Sequence, residues 1–187
     1  MNHQGTVRIE TPRLILRRFV IEDAPAAFRN WTSDPEVTKF LRWPTHPHVG
    51  VTESVLNDWI SSYEKPDFYQ WAIELKELGE PIGSIASAYV KERTECAEVG
   101  YCMGRAFWGK GIMTEALSAV IAYFFDTVGV NRIEAIHDPN NPASGAVMRK
   151  CGMQYEGTHR QADWSNQGIV DVAWYGILQE DYLRQKA

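Results

Sequence analysis

The sequence predicts a mixed α/β fold, in which one twisted, largely antiparallel sheet of about seven strands carries helices on both faces. Short apolar segments bounded by turn residues are typical of strands, and several of them follow one another closely. A strand, a glycine-containing turn and an amphipathic helix occupy residues 98–125, and another strand follows at residues 132–137. Such a unit pairs its two strands in parallel, so the sheet is mixed.

The N-terminal part reads as one strand followed by helices. Apolar and basic residues alternate over residues 13–19, which is typical of a strand with one buried face. Three helices are predicted next, at residues 22–31, 34–41 and 52–63. Asp34 is the expected N-cap of the second, with Pro35 at its first position. The proline-rich segment 42–50 is predicted to be a loop, and the helices to form a lobe over the sheet.

The remaining chain reads as a sheet interrupted by two helices. Six more strands are predicted, at residues 68–76, 82–90, 94–103, 132–137, 153–157 and 169–178. The first two flank a turn at residues 78–81, so they form a hairpin. Helices are predicted after Gly111 and from Pro142 to about Lys150, where Gly152 ends the second one.

Composition favours a single soluble domain over residues 1–187. The 187 residues, 44% of them hydrophobic, are enough for one substantial core. The net charge of −5 disfavours nucleic-acid binding, which needs a clustered basic surface. The sequence has neither a signal-peptide pattern nor an apolar run of about 18 residues, so we expect a cytoplasmic protein. Three cysteines without C-x-x-C spacing predict neither a disulfide framework nor a metal site.

Residues 104–114 have the features of a phosphate-binding turn. Gly109 and Gly111 allow a sharp turn between strand and helix, and the N-terminal N–H groups of such a helix favour an anion. Two known phosphate motifs do not fit. Lys110 lacks the Ser or Thr that follows it in a P-loop, and Thr114 stands where the dinucleotide motif has its last glycine. A nucleoside triphosphatase and a Rossmann dehydrogenase are therefore disfavoured.

The same segment resembles the acetyl-CoA pyrophosphate loop of the GNAT N-acetyltransferases, and within them the RimJ/RimL-type ribosomal-protein N-terminal acetyltransferases. The resemblance rests on Gly109-Lys110-Gly111 and on the helix start Met113-Thr114-Glu115-Ala116. Ala106 departs from the Gln or Arg of the family pattern, but backbone amides do most of the phosphate binding, so we expect the loop to function. The resemblance implies cofactor contacts from Cys102, Met103, Trp108, Gly109, Lys110, Gly111, Ile112, Met113 and Thr114.

A second segment extends the resemblance. Asn141, Ser144 and the run Lys150-Cys151-Gly152-Met153 are similar to the segment with which this branch binds the pantetheine arm. By that resemblance, Asn141 hydrogen-bonds the arm and Ser144 faces the sulfur of the departing CoA. Shorter matches beginning at Thr11 spread the resemblance over most of the chain.

The function that the resemblance implies is transfer of an acetyl group from acetyl-CoA to a primary amine, by direct attack in a ternary complex and without a metal. The acceptor is either a protein N-terminal α-amine or a small-molecule amine. A non-catalytic CoA-binding module or sensor is the alternative from another class. Enzymes of this type are often dimers, so a homodimer is considered, although no exposed apolar seam in the sequence demands one.

The reaction needs a route for a proton, because an amine attacks a thioester only as the free base. Glu98 is the first candidate base, acting directly or through a water molecule. The structural alternative for Glu98 is an ion pair with Arg93 or Arg105. Tyr101 and His137 are further candidates for the proton route, although such residues are more often packed side chains with one hydrogen bond.

Collapse of the tetrahedral intermediate needs an acid and donors for the carbonyl oxygen. Ser144 is the candidate acid, and a helix cap is its structural alternative. Backbone N–H groups around Cys102 and Met103 are candidate donors. A rival mechanism makes Cys102 a nucleophile activated by His137, but the resemblance favours direct attack.

Aromatic residues are the candidates for acceptor binding through stacking and cation–π contacts. The primary candidates are Trp43, Trp71 and Tyr89, with Trp31 and Trp164 beside them. Packing in the core or lobe is the alternative for each. Asp163 and Asp171 are candidate carboxylates for the acceptor amine, or solvated loop charges. An open groove around Trp43 favours a peptide acceptor, and a closed pocket favours a small molecule.

Overall fold

The fold, seen in a computed structural model that describes residues 1–186, is built on a single eight-stranded sheet. The strands are β1 (Ile9–Glu10), β2 (Leu14–Arg17), β3 (Gln70–Leu75), β4 (Glu80–Lys91), β5 (Cys96–Met103), β6 (Arg132–His137), β7 (Gln154–Ser165) and β8 (Gly168–Leu178). Their order in space is β1-β2-β3-β4-β5-β6-β8-β7, and only β5 and β6 are parallel neighbours. The predicted mixed, largely antiparallel sheet is confirmed.

Six α-helices flank the sheet in the described part of the chain. They are α1 (Ala24–Ala27), α2 (Pro35–Thr38), α3 (Val49–Ser62), α4 (Ile112–Tyr123), α5 (Pro142–Lys150) and α6 (Gln179–Lys186). The Asp34 carboxylate caps α2 by accepting a hydrogen bond from the Glu36 amide at 3.0 Å, as predicted. None of these helices has both the length and the apolar character that crossing a membrane requires.

The two faces of the sheet are covered differently. On one face, Leu117 and Val120 of α4 are fully buried in the main core, which also receives apolar residues of α5 and α6. On the other face, α1 to α3 and their connecting turns form a helical lobe with its own cluster around Trp31 and Leu56. Helices on both faces follow from the predicted pattern, since β-strands direct alternate side chains to opposite faces.

Strands β5 and β6 separate partway along their length. Their register pairs Cys96, Ala97 and Glu98 with β6, and no pairing follows beyond Glu98. Each strand nevertheless continues, because β4 pairs with β5 as far as Met103 and β8 pairs with β6 as far as His137. The sheet therefore has an internal gap at the carboxyl ends of its two parallel strands.

Three elements differ from the prediction. The short β1 and the helix α6 were not predicted, and β7 runs to Ser165 instead of ending near residue 157. Register shifts between Tyr155 and Gly157 and between His159 and Asp163 interrupt the regular pairing of β7. Because such bulges break the two-residue alternation, the distal half of β7 does not look like a strand in the sequence.

Candidate active site

A cavity of about 920 Å³ lies between the helical lobe and the sheet, at the gap between β5 and β6. One end is lined by the turn before α4, the end of β5 and the first turns of α5. The other end is lined by the lobe and by the hairpin that joins β7 to β8. We call these the donor end and the acceptor end. A cavity of this size is typical of a small-molecule site.

The turn at the donor end exposes a series of backbone donors. Gly109 and Gly111 have φ angles of 73° and 71°, in the left-handed region that glycine adopts without strain. The amides of Gly109 to Thr114 donate to no protein acceptor within residues 1–186. Unpaired N–H groups at the N-terminus of a helix form an anion site, so the predicted phosphate turn has the required geometry.

The turn is tied to the start of β2 by a clamp of polar contacts. The Arg13 guanidinium donates to the Lys110 carbonyl at 2.9 Å and to the Glu115 carboxylate at 2.6 Å. The Thr11 hydroxyl donates to the same carboxylate at 2.6 Å. Burial alone would raise the pKa of Glu115, but the bonds from Thr11 and Arg13 outweigh it and lower the pKa. The clamp fixes the first turn of α4 against the sheet.

Other predicted cofactor residues surround this turn. Trp108, Ile112 and Met113 line the cavity, as do Cys102 and Met103 at the end of β5. The Trp108 indole donates to the Met103 carbonyl at 2.7 Å and so links the turn to the strand. The structure therefore brings these residues together, and their contacts with a cofactor remain a prediction.

Tyr101 on β5 and Ser144 on α5 meet at the gap between β5 and β6. Their hydroxyl oxygens are 3.1 Å apart, and the Tyr101 hydroxyl also lies 3.0 Å from the Ser144 carbonyl. Asn141 is the N-cap residue of α5 and lines the cavity, but no side chain caps this helix. The capping alternative for Ser144 is therefore not seen. Burial raises the pKa of Tyr101, so its hydroxyl stays protonated as a donor at neutral pH.

Glu98 points to the opposite face of the sheet from Tyr101. Ala97 and Val99 on either side of it belong to the main core, so the Glu98 side chain faces the lobe. It is 7% exposed and lines the cavity. No salt bridge involves Glu98 in the described part of the chain, and Arg105 pairs instead with Asp34 at 3.1 Å. The ion-pair alternative is not seen, and a buried carboxylate faces the acceptor end.

The cysteine mechanism finds no support in the geometry. The Cys102 sulfur lies 3.4 Å from the Ser84 hydroxyl, and burial raises the pKa of its thiol. The His137 Nδ1 lies 2.8 Å from the Asp138 carbonyl, to which it donates, and the His137 Nε2 is buried without a partner. A nucleophilic thiol needs a lowered pKa and a neighbouring base, so Cys102 has the opposite environment.

Two of the three primary acceptor candidates lie outside the cavity. Trp71 is fully buried in the main core, where its indole donates to the Val7 carbonyl at 2.6 Å. Tyr89 donates its hydroxyl to Glu134 at 2.6 Å, and neither residue lines the cavity. The prediction that Trp71 and Tyr89 contact the acceptor is therefore corrected. Side chains point alternately to the two faces of the sheet along β3, so Trp71 points towards α4. Tyr89 is kept in place by its hydrogen bond to the Glu134 carboxylate.

Trp43 does line the acceptor end. Its ring centroid is 5.2 Å from that of His46, which keeps the indole at the edge of the lobe. Trp31 and Trp164 also line the cavity, the second from the β7–β8 hairpin. Of the two candidate carboxylates, Asp163 lines the cavity, whereas Asp171 accepts from the Gln161 amide at a separate surface depression.

A bridge that the sequence did not reveal joins the β7–β8 hairpin to the lobe at the acceptor end. The Asn166 side chain donates to the carbonyls of Thr38 and Trp43, each at 2.9 Å, and its amide donates to the Leu41 carbonyl at 3.1 Å. Beside it, the Arg42 guanidinium binds the Asp163 carboxylate, with a closest approach of 2.7 Å. These contacts join residues more than 100 positions apart, and no local motif encodes them.

Comparisons with known proteins agree with this geometry. A family model described as an acetyltransferase (GNAT) domain matches residues 13–154. The uncharacterized N-acetyltransferase p20 of Bacillus licheniformis is 31% identical over 172 residues, 92% of this chain and 96% of that protein. The Escherichia coli [ribosomal protein uS5]-alanine N-acetyltransferase is 41% identical over 59 residues, 32% of this chain and 30% of its own. The crystal structure of a GNAT-family acetyltransferase from Bacillus anthracis has a TM-score of 0.82 and 25% identity, covering 93% of this chain and 99% of its own.

Proposed function

This chain belongs to the GNAT acetyltransferase family, and from that premise we propose how its residues divide the work of the reaction. The protein is an acetyl-CoA-dependent N-acetyltransferase, and its acceptor is an amine. The observation that carries the proposal is the hydrogen-bonded pair of Tyr101 and Ser144 at the gap between β5 and β6.

The donor end binds the cofactor chiefly through backbone groups. The free amides of Gly109 to Thr114 suit the diphosphate of acetyl-CoA, because its charge faces the positive end of the α4 dipole. Asn141 then binds the pantetheine arm, which leads the thioester into the gap. Acetyl-CoA supplies the activated acyl group, and the residues around the gap accept and donate the protons that the reaction transfers.

Proton transfer is divided between the two faces of the sheet. Glu98 accepts the proton that the amine loses, directly or through a water, because it is a buried carboxylate on the acceptor side. Ser144 gives its hydroxyl proton to the thiolate of the departing CoA and regains a proton from solvent, so that the serine is unchanged after each turnover. Tyr101 holds the Ser144 hydroxyl in place and stays protonated. The amine attacks the thioester directly, since Cys102 lacks the environment of a nucleophile.

The test measures free thiol and acetylated amine for the wild type, Ser144→Ala and Glu98→Gln. We expect Ser144→Ala to lower kcat about a hundredfold, within the range of general acid–base catalysis, and to change the KM for acetyl-CoA by less than about threefold. Ser118→Ala on α4 is the matched control, because the Ser118 hydroxyl bonds Cys151 and does not line the cavity.

Glu98→Gln is expected to lower kcat by a similar factor, because the amide cannot accept the proton that the amine loses. Unchanged turnover in Ser144→Ala or in Glu98→Gln removes the respective role. Binding of acetyl-CoA without thiol release by the wild type would favour a CoA sensor instead. The homodimer and the cytoplasmic location stay predictions, and light scattering after gel filtration tests the first.

A further inference from the structure

The bridge at the acceptor end determines what can reach Glu98. Asn166 at the tip of the β7–β8 hairpin makes three hydrogen bonds to the loop after α2, and Arg42 pairs with Asp163 next to them. Leu41, Trp43 and Ser165 line the cavity on the two sides of this contact. Arg42 and Asp163 line the cavity from its two sides, so their ion pair spans the cavity at that end, while Asn166 itself does not line it and holds the hairpin against the lobe.

The bridge also occupies the backbone groups that a peptide acceptor would use. An extended peptide carries an N–H and a C=O at every residue, and these groups need partners when they are removed from water. The carbonyls of Thr38, Leu41 and Trp43 each accept a hydrogen bond from Asn166. A peptide that paired with this segment of the loop would have to compete with Asn166 for these carbonyls.

The charges at the acceptor end point to a simple amine. Arg42 and Asp163 neutralise each other, with side chains 48% and 19% exposed. Glu98 is left as a buried carboxylate without an ion pair among the residues described. Glu36 and Lys39 also line the cavity, and the apolar part of the acceptor-end wall includes Phe40, Trp43, Trp164 and Val170. A protonated amine is attracted to Glu98, and an aromatic body stacks against the indole surfaces.

We infer that the acceptor is a small primary amine with an aromatic or apolar body, and that the bridge from Asn166 to the loop after α2 discriminates against peptide N-termini. This inference rests on the proposed acetyl transfer and names its substrate class. The discrimination is a property of the bridge, so weakening the bridge shifts preference towards peptides without touching the donor end.

The experiment compares kcat/KM for 2-phenylethylamine and for an amidated alanine tetrapeptide with a free N-terminus, at saturating acetyl-CoA. In the wild type we expect a preference for 2-phenylethylamine of about tenfold or more. Asn166→Ala removes two side-chain hydrogen bonds, each contributing on the order of fivefold to the equilibrium between the bridged and the open loop, so the preference should fall by up to about 25-fold. Thermal melting establishes that the variant is folded.

Gln167→Ala is the matched control, because this neighbouring exposed residue does not line the cavity and makes no side-chain bond to the lobe among residues 1–186. Its preference should equal that of the wild type. Arg42→Gln provides a second break in the bridge and should shift the preference in the same direction as Asn166→Ala. Retained preference in both bridge variants would overturn the inference.

The remaining outcomes separate the inference from the proposed function. A wild type that acetylates the tetrapeptide better than 2-phenylethylamine overturns the inference and leaves acetyl transfer intact. A wild type that releases no thiol with either amine overturns the inference together with the proposed function, and the absence of any turnover distinguishes this result from the previous one.

Discussion

At the donor end of the cavity, the groups that we propose bind the cofactor are backbone amides of six consecutive residues, Gly109 to Thr114, presented by one turn and one helix. At the acceptor end, they are side chains brought together across the chain, such as Arg42 with Asp163. The first arrangement depends on local conformation and the second on tertiary contacts. Acceptor specificity is therefore open to change by a few loop substitutions, while cofactor binding is not.

Among the variants that test this comparison, the largest effect is expected from one that disrupts the donor end locally. Gly109→Ala places a β-carbon on a residue with φ of 73°, which costs about 1–2 kcal/mol and drives the turn out of its left-handed conformation. Because amides then turn away from the phosphates, we expect acetyl-CoA affinity to fall about tenfold or more. Isothermal titration calorimetry measures the loss.

Gly129→Ala is the control for backbone strain. Gly129 has a φ of 77° and open space around it, as Gly109 does, but it lies after α4 and away from the cavity. The free energy of unfolding should fall by a similar amount in both variants, but only Gly109→Ala should lose affinity for acetyl-CoA. Equal affinity in the two variants would mean that the turn does not bind the cofactor.

A smaller effect is expected at the acceptor end. Trp43→Ala removes an aromatic wall, and since a cation–π contact is worth about 1 kcal/mol, the KM for the amine should rise about fivefold. The KM for acetyl-CoA should not change. Trp71→Phe should instead lower the free energy of unfolding by about 1–3 kcal/mol with both KM values retained, because Trp71 lies in the core. A selective change in amine KM for Trp71→Phe would contradict this division.

The smallest effect concerns the clamp and its pH dependence. The pKa of Glu115 is lowered in the folded state from an ordinary value of 4.5, so the carboxylate stabilises the fold above that pH. This stabilisation is lost as the pH falls through the folded pKa. Urea unfolding of the wild type and Glu115→Gln should differ most at neutral pH and converge below about pH 4.5. A difference independent of pH would show that the charge of Glu115 does not matter.

The donor end was predictable from sequence because its residues are nearly contiguous. The sequence itself indicates the sharp turn through Gly109 and Gly111 and the helix start through the spacing from Asn141 to Ser144. The structure places these residues around one cavity. The acceptor end was predictable only in part, since the sequence does not indicate whether an aromatic side chain faces the core or the cavity. Trp43 lines the cavity, whereas Trp71 belongs to the core.

The fold follows the same division between local and long-range information. Hairpins and the strand–turn–helix unit through α4 are encoded by turn residues and periodicity, and the structure confirms the mixed sheet that they predict. The distal half of β7 was missed because Gln161, with a φ of 49°, and the bulges around it interrupt alternation. Insertion of β8 between β6 and β7 is likewise a tertiary outcome.

The gap between β5 and β6 has a consequence for the lifetime of the protein. Beyond Glu98 the two strands present unpaired edges inside the sheet, and these edges resemble the outer strands at which sheets begin to fray. A molecule that fills the gap binds the native state alone and opposes this fraying by mass action. If acetyl-CoA fills the gap as we propose, we expect it to raise the resistance of the protein to heat and to proteases.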